Sequence, residues 1–170
     1  MAVNAYLIVD GITGPSTSKT GAIDILSFSW GASQTSTYGT GASGKEAKAG
    51  RVDFANLSIM KVLDATSPLL FNFCSAGTII SKVYILYDKP VGKDATVQGD
   101  YFRIYLADAM LTSIQLSGSS DNPTESLSFA FQSVEVAYKA EQDDGTLAAA
   151  VPKGYSLETL AANWAAPDKF

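Results

Sequence analysis

The sequence contains few side chains of the types that carry out catalysis. Its 170 residues include no histidine and a single cysteine, Cys74. Without histidine there is no Ser-His or Cys-His nucleophile pair and no imidazole ligand for a metal ion. One cysteine can form neither a disulfide within the chain nor a thiolate cluster for zinc. Cys74 is therefore most simply a small buried hydrophobe rather than a reactive thiol.

Carboxylates are the remaining groups that could do chemistry. A pair of them could hydrolyse a glycosidic bond, but nothing in the sequence sets a distance between Asp10, Asp24 and Asp53. The run Asp143-Asp144-Gly145 resembles part of a calcium loop, yet it lacks the D-x-[DN]-x-[DN]-G spacing and the later Glu. The sequence thus predicts no catalytic residue, no metal site and no cofactor. It favours a structural or binding protein over an enzyme.

Composition narrows the class of partner. The formal net charge of −5 disfavours nucleic acid and anionic membranes, because both require clustered Lys and Arg. The length fits one domain, and no apolar run approaches the 18 residues of a membrane span. The first ten residues lack the basic region and long apolar stretch of a signal peptide. We therefore expect that export, if it occurs, uses a route that does not read an N-terminal signal.

The elements that must position these side chains are mostly strands. The stretch from Ala22 to about Thr37 alternates like one long strand, but its apolar phase slips after Ile23 and Ile25 to Leu26, Phe28 and Trp30. Such a slip indicates a β-bulge or a crossing from one sheet to another. Ser27 and Ser29 fall on the opposite, small polar face. The run from Leu127 to Tyr138 slips in the same way, and together the two runs predict a closed or nearly closed β structure.

Further strands are predicted over Val3–Asp10, Arg51–Lys61 with a bulge near Ala55-Asn56, Thr78–Tyr87, Tyr101–Leu116 and Glu125–Lys139, with a loop over Asp88–Gly99. One helix is predicted in the middle of the chain. Ser67 caps it, Pro68 takes its first position and Gly77 ends it. Its apolar stripe consists of Leu69, Leu70, Phe73 and Cys74. Core packing is expected for Phe28, Trp30, Phe129 and Phe131.

Two segments admit alternative interpretations. The glycine-rich stretch Gly39–Gly50 is either a flexible hairpin tip or an extended arm that docks on a neighbouring copy, and it is not a phosphate-binding loop because GxxxxGK[ST] is absent. The tail forms either a short helix that Ser156 caps, with Leu157, Leu160, Ala161 and Trp164 on one face, or a closing strand over Tyr155–Leu157.

These motifs, in this order, resemble the Hcp family (hemolysin-coregulated protein), the tube protein of type VI secretion systems. The start Met1-Ala2-Val3 followed by Asp10-Gly11-Ile12-Thr13-Gly14 is similar to the family's, and Ile23 to Gly31 resembles its I-D-V-L-x-W-S-W-G strand, with Phe28 in place of the usual Trp. The K-x-x-D-x-x-S-P helix entry matches Lys61, Asp64, Ser67 and Pro68. The T-E strand matches Thr124, Glu125, Leu127, Phe129 and Phe131, while Lys153-Gly154-Tyr155 resembles the terminal segment loosely.

The resemblance implies a mainly β fold, a two-sheet β-barrel with one short α-helix that is similar to phage tail tube proteins. Residues 1–140 would form the Hcp-like barrel domain, and residues 141–170 a C-terminal extension packed on it. Six copies would form a ring, and rings would stack into a tube that is expelled. Partners would be other copies, the sheath and spike proteins and small effector proteins in the lumen, but no nucleic acid or membrane. The tube would assemble in the bacterial cytoplasm and be secreted without a signal peptide.

Two sets of residues receive roles from this interpretation. Ser27 and Ser29 would face the lumen. The arm would contact the adjacent ring through Tyr38, Gly39, Gly41, Gly44, Lys45, Lys48 and Gly50. Two alternatives remain open from the sequence, namely a phage-like tail tube subunit and a monomeric carbohydrate-binding β-sandwich that binds glycans through exposed tyrosines.

Overall fold

The part of the chain that the structure describes is mainly β with one helix, as predicted. A computed structural model describes residues 3–37 and 48–170. In the described residues the strands are β1 (Asn4–Val9), β2 (Ile23–Asp24), β3 (Ser27–Ser29), β4 (Ala32–Thr37), β5 (Lys48–Phe54), β6 (Leu57–Val62), β7 (Ile79–Val91), β8 (Val97–Ser117), β9 (Thr124–Ala130), β10 (Ser133–Tyr138), β11 (Val151–Ser156) and β12 (Ala161–Ala162). The helix α1 spans Ser67–Ala76.

Ten of these strands form one sheet that bends around the core. Its main path runs β12-β11-β10-β8-β7-β1-β2, and a branch runs from β8 through β9 and β6 to β3. Strand β8 joins the two halves, because its first part pairs with β7 and β10 and its last part, from Met110 to Ser117, pairs with β9. The strand pairing does not close into a barrel, so the barrel expected from the resemblance describes the fold only loosely.

The stretch from Ala22 to Thr37 is three short strands rather than one long one. Strand β2 pairs with β1 in one half of the sheet, β3 pairs with β6 in the other, and β4 belongs to a separate two-stranded sheet with β5. The crossing occurs at Ile25 and Leu26, whose amides donate to the carbonyls of Ala5 (3.1 Å) and Met60 (2.8 Å). The predicted phase slip therefore marks a crossing between sheet halves. Leu26 was wrongly expected on the apolar face, since it is 60% exposed.

The core lies between the two halves of the sheet. It is built from inward-pointing aliphatic residues at alternating strand positions, with Phe129 fully buried among them. Phe28, Trp30 and Phe131 are only partly buried and pack against the edge of this core. The expectation of core packing thus holds fully for Phe129 and in part for the other three.

Other strand boundaries differ from the predictions, because the strands continue through residues whose sequence pattern indicates a strand only weakly. Strand β7 continues to Val91 and β8 begins at Val97, so the predicted loop over Asp88–Gly99 shrinks to a turn. Its Asp88 is buried and accepts a hydrogen bond from Asn4 Nδ2 at 3.0 Å. The predicted strand over Glu125–Lys139 is divided into β9 and β10 at Phe131-Gln132.

Helix α1 lies where it was predicted, but its start differs in detail. Thr66 is the N-cap residue, and Ser67 is the first residue of the helix rather than its cap. Gly77 ends the helix in the left-handed region at φ 64°. Leu70 is buried and Phe73 and Cys74 are partly buried against the core, whereas Leu69 is 48% exposed and does not belong to the buried stripe.

The tail adopts the second of its two predicted forms. Strand β11 extends the sheet by pairing with β10 from Ser133↔Ser156 to Tyr138↔Val151. The predicted helix after Ser156 is wrong, because Leu160 (φ 53°) and Asn163 (φ 68°) have left-handed backbones that no α-helix contains.

Candidate functional site

One outer face of the sheet is neutral and mostly polar, with serine its commonest residue. It belongs to the branch β3-β6-β9-β8, and we call it the serine face. Its members are Ser27, Ser29, Ser58, Met60, Val62, Ser113, Gln115, Ser117, Thr124, Ser126, Ser128 and Ala130. Both residues predicted from the sequence to face a lumen, Ser27 and Ser29, are exposed members of it.

Strand register aligns the serine face into rows. Ser29 lies beside Ser58, Ser58 beside Ser128, and Ser128 beside Ser113, so four serines cross four strands in one line. The next row is Ser27, Met60, Ser126 and Gln115. No member of the face carries a formal charge. Such a surface offers hydroxyl donors and acceptors but no fixed charge to hold a molecule tightly.

The pleat of the strands explains why these side chains share a face. In β9 the inward positions are Glu125, Leu127 and Phe129, so the residues between them must point outward. A register shift between Leu111 and Ser113 keeps β8 in phase with β9. The extra residue, Thr112, donates from Oγ1 to the Ser128 carbonyl at 3.0 Å and so secures the irregularity.

Both lateral edges of the serine face are open. Strand β3 pairs with β6 alone in the part of the chain that the structure describes. On the far side, residues 111–117 of β8 pair with β9 and with no other described strand. Unpaired backbone donors and acceptors on an edge are sites for adding a further strand. The face therefore ends, on both sides, in edges that another chain could extend.

The separate β4-β5 sheet projects from the end of this face. All positions of Ala32–Ser36 are exposed, so little of β4 packs on the rest of the molecule. Its root is an aromatic cluster, in which Trp30 stacks on Phe54 (centroids 5.8 Å apart, planes at 7°). Phe54 also lies 5.8 Å from Phe131 and 5.4 Å from Tyr155. The cluster attaches the projecting hairpin to the core.

Most residues predicted to form the arm lie outside the described part of the chain, namely Tyr38, Gly39, Gly41, Gly44 and Lys45. The other two, Lys48 and Gly50, lie in strand β5 and not in a loop. Gly50 is opposite the register shift at Thr35, and a Cβ there would lie 2.2 Å from Thr35 Oγ1. Glycine at this position therefore allows the two strands to approach.

A buried polar cluster joins the helix to the sheet behind the serine face. Lys61 and Glu125 are directly opposed on β6 and β9, both side chains are fully buried, and they form an ion pair. Lys61 Nζ also lies 3.1 Å from Asp64 Oδ1, and Ser67 donates from Oγ to Glu125 Oε1 at 3.0 Å. We call Lys61, Asp64, Ser67 and Glu125 the clasp.

From the sequence, the four clasp residues appear as signs of the family resemblance, Ser67 also as the predicted helix cap, and none of them has a role with the others. A signal was present, because Lys61 and Glu125 occupy inward positions in otherwise apolar alternation. A charge at such a position is rarely tolerated without a partner. The pairing itself required the register of β6 against β9.

A second buried ion pair holds the tail against the opposite outer face. Arg103 Nη2 donates to Glu135 Oε1 at 2.8 Å and to the Asp168 carbonyl at 2.9 Å. Glu135 also accepts from the Ala166 amide at 2.7 Å. Burial, and then the charge of Asp168, raises the pKa of nearby Tyr105 above its ordinary value. The tail thus covers polar groups that would otherwise face solvent.

The carboxylates considered for catalysis do not come together. Asp10 accepts from Ser81, Asp24 accepts from Ser16, and Asp53 lies on β5 in the separate sheet. Asp144 closes a turn by accepting from Thr146, and these hydrogen bonds lower the pKa of its carboxyl. Within residues 3–37 and 48–170, no cluster of three or more His, Cys, Asp or Glu side chains is arranged to hold a metal ion.

A platform of exposed tyrosines is also absent from the described residues, where Tyr138 is the one exposed tyrosine. The structure therefore provides no support for glycan binding through stacked tyrosines. Among the helical residues that the structure describes, no helix has the length and apolar character needed to cross a bilayer.

The fold is shared with solved proteins of type VI secretion. A type six secretion system protein superposes with a TM-score of 0.82 at 23% identity, over 95% of this chain and 99% of the other. Hcp1 from Salmonella typhimurium superposes with a TM-score of 0.72 at 21% identity, over 95% and 99% of the two chains. These likenesses place the fold in the class of Hcp-type β proteins.

Sequence comparison then identifies the family. Residues 6–138 match the model described as "Type VI secretion system effector, Hcp". Protein hcp1 of Pseudomonas aeruginosa is 32% identical over 149 residues, which cover 85% of this chain and 88% of that protein. The chain belongs to the Hcp family and is a tube subunit of a type VI secretion system.

Proposed function

We propose that copies of this chain join head to tail into a six-membered ring whose inner wall is the serine face. The rings stack into a tube, and the tube is expelled with small effector proteins in its lumen. The observation that carries the proposal is the combination of a neutral, hydroxyl-rich face with an open strand edge on each side. Family membership supports self-association.

The strand directions support a continuous wall. Strands β3, β6, β9 and the end of β8 alternate in direction across the face, because each neighbouring pair is antiparallel. Rotation about a ring axis preserves direction along that axis, so the β3 edge of one copy would meet the β8 edge of the next in antiparallel orientation. The same edge patch never meets itself, which is the arrangement that closes a heterologous ring.

The chemistry of the face suits transport of varied proteins. Ser27 and Ser29, with Ser58, Ser113 and Ser128, would present hydroxyl groups to the lumen. A wall without formal charge binds neither acidic nor basic cargo strongly, so cargo could be released after expulsion. Retention then depends on shape and on many weak polar contacts.

The proposal also assigns roles to the glycine-rich segment, to further partners and to the C-terminal residues. The segment Gly39–Gly50 contacts the adjacent ring, and sheath and spike proteins are further partners, whereas nucleic acid and membranes are not. The protein acts mechanically and is not an enzyme. It is assembled in the bacterial cytoplasm and secreted without a signal peptide. Residues 141–170 form an extension of the same domain, for which the pairing of β11 with β10 is the support.

The test is molar mass by light scattering on purified protein, with negative-stain images of the same fraction. We expect a mass of six subunits and ring-shaped particles. A monomer that persists at high protein concentration would overturn the ring and, with it, the assignment of the serine face to a lumen.

A further inference from the structure

A shallow groove lies beside the serine face, at the corner where β7, β8 and β9 meet. Its volume is about 390 Å³. The floor is apolar and includes Ile79, Met110 and Phe131, and Ile79 is 63% exposed. Two exposed carboxylates, Asp108 and Glu158, stand on its rim. Neither forms an ion pair with another residue of the described chain.

The β4-β5 hairpin carries the complementary features. Arg51 on β5 is exposed and has no ion-pair partner among the described residues, and Val52 next to it is half-buried. An isolated two-stranded sheet is marginally stable in water, so the hairpin gains by packing on another surface. Its root at Phe54 is anchored, but Ala32–Ser36 is exposed throughout.

We propose that this groove receives the β4-β5 hairpin of the next copy in the ring, with Arg51 of one copy facing Asp108 and Glu158 of its neighbour. The inference rests on the proposed ring and deepens it, because it names a lateral contact outside the sheet edges. It concerns the strands of the hairpin, residues 32–37 and 48–54, and is a different contact from the one proposed between Gly39–Gly50 and the adjacent ring, with which it shares residues 48–50.

Strand geometry places the hairpin at the groove. If the β3 edge of the next copy lies antiparallel to the β8 edge and the rows of the serine face continue from copy to copy, its Ser29 extends the row that contains Ser113. Three residues further along, that copy's chain enters β4, while three residues back along β8 from Ser113 lies Met110 in the groove. At roughly 3.3 Å per residue the first step spans about 10 Å, whereas the second spans about 7 Å because Thr112 is the extra residue of the bulge, so the start of the hairpin lies beside the groove.

Charge favours the same pairing. Each copy carries a net charge of −5, so neighbouring copies repel at long range. A cation set against the two rim carboxylates of the groove offsets that repulsion at the point of contact. The alternative is that the groove holds the hairpin of the same copy. Mixing two charge variants distinguishes that case from binding of a neighbour's hairpin.

The experiment exchanges the charges. Arg51→Glu and Glu158→Lys, each alone, should raise the protein concentration at half-dissociation of rings at least tenfold, as measured by mass photometry in low salt. An equimolar mixture of the two variants should restore ring formation, because each altered hairpin then meets an oppositely altered groove. Lys93→Glu, an exposed lysine outside both surfaces, is the matched control for net charge and should behave as the wild type.

The outcomes separate the inference from the ring itself. If wild-type protein forms rings and Arg51→Glu forms them equally well, the groove contact is wrong while the ring stands. If wild-type protein forms no rings, the proposed function fails first. Single variants that dissociate but are not rescued on mixing would also overturn the contact, provided that circular dichroism shows both to be folded.

Discussion

At the scale of the residue, the clasp is the clearest link between sequence and stability. Lys61 and Glu125 are fully buried, and each compensates the charge of the other. A buried ion pair adds little net stability compared with an apolar pair, but a charge left alone costs several kcal/mol. Asp64 and Ser67 extend the pair to the start of α1, so the clasp determines how the helix enters the sheet.

Removing one charge of the clasp should therefore lower the free energy of unfolding more than removing both charges. We expect Glu125→Leu to lower the free energy of unfolding by about 3–5 kcal/mol, because Lys61 is left buried without its partner. The double variant Lys61→Met/Glu125→Leu should recover most of that loss. Denaturant unfolding at matched protein concentration measures both, and a double variant as unstable as the single one would contradict the argument.

A pH dependence follows from a second buried residue, Tyr6. Burial, and then the charge of Asp88, raises the pKa of its phenol above the ordinary value of 10.0. The folded state thus favours the neutral phenol. This stabilisation is fully present below the unfolded-state pKa and is lost as pH rises through the folded-state pKa.

We expect Tyr6→Phe to flatten the loss of unfolding free energy above about pH 10, because Phe cannot ionise. Thermal unfolding measured in steps across the alkaline range tests this. Tyr138→Phe, which alters an exposed tyrosine, is the control. An unchanged alkaline slope in Tyr6→Phe would show that the Tyr6 phenol does not contribute to it.

At the scale of the element, the projecting hairpin depends on its aromatic root. Trp30 and Phe54 stack in parallel, and Phe131 and Tyr155 close around Phe54. This packing stabilises the β4-β5 sheet, which would be only marginally stable by itself, and holds it in place on the domain. Both aromatic residues are only partly buried, so truncating either removes less than a full core side chain.

Phe54→Ala should cost about 3 kcal/mol, the lower end of the range for large aromatic truncations. It should also speed hydrogen exchange in residues 48–53 while leaving β7 protected. The control is Phe54→Tyr, which also changes the side chain but keeps the aromatic ring, so it separates the effect of lost packing from that of substitution at this position. Equal protection of β5 in wild type and Phe54→Ala would show that the cluster does not hold the hairpin.

The segment from 39 to 47 can be tested as a unit. Replacing it, together with Tyr38, by a two-residue Asn-Gly turn between Thr37 and Lys48 should spare single rings and reduce their stacking. Electron microscopy would score single rings against stacks. Loss of the rings themselves would place this segment in the lateral interface instead.

At the scale of the whole molecule, the serine face is a property of assembly. In the isolated chain it is an ordinary solvent-exposed sheet surface, and in the proposed ring it would become the wall of a cavity. Its lack of formal charge is notable in a chain that carries −5 overall. The charged side chains that the structure describes lie on other surfaces or are buried in pairs such as Arg103 with Glu135.

Ser29→Gln should therefore leave ring formation unchanged and alter cargo retention by severalfold, because a longer amide side chain would narrow the lumen. Co-purification of a small effector with wild-type and variant rings measures this. Thr96→Gln, in the exposed turn between β7 and β8, is a matched control outside both the face and the hairpin. Unassembled Ser29→Gln protein would count against a lumen position for Ser29.

The sequence by itself determined the chemistry and the class of fold. The absence of histidine, the lone Cys74 and the neutral Ser27 and Ser29 are facts of composition and alternation, and they need no coordinates. The breaks near Leu26 and Phe131 were visible as slips in an apolar period, because side chains on a strand repeat every two residues. The order of motifs was enough to indicate the Hcp family.

Only the tertiary structure decided which strands meet. Alternation predicts a face but not its neighbours, so the rows of serines, the opposition of Lys61 and Glu125 and the open edges of β3 and β8 all required strand register. Local signals also left the tail open between a helix and a strand, and the pairing of β11 with β10 and of β12 with β11 decided for the strand. Long-range hydrogen bonding sets these features, and residues distant in the chain supply it.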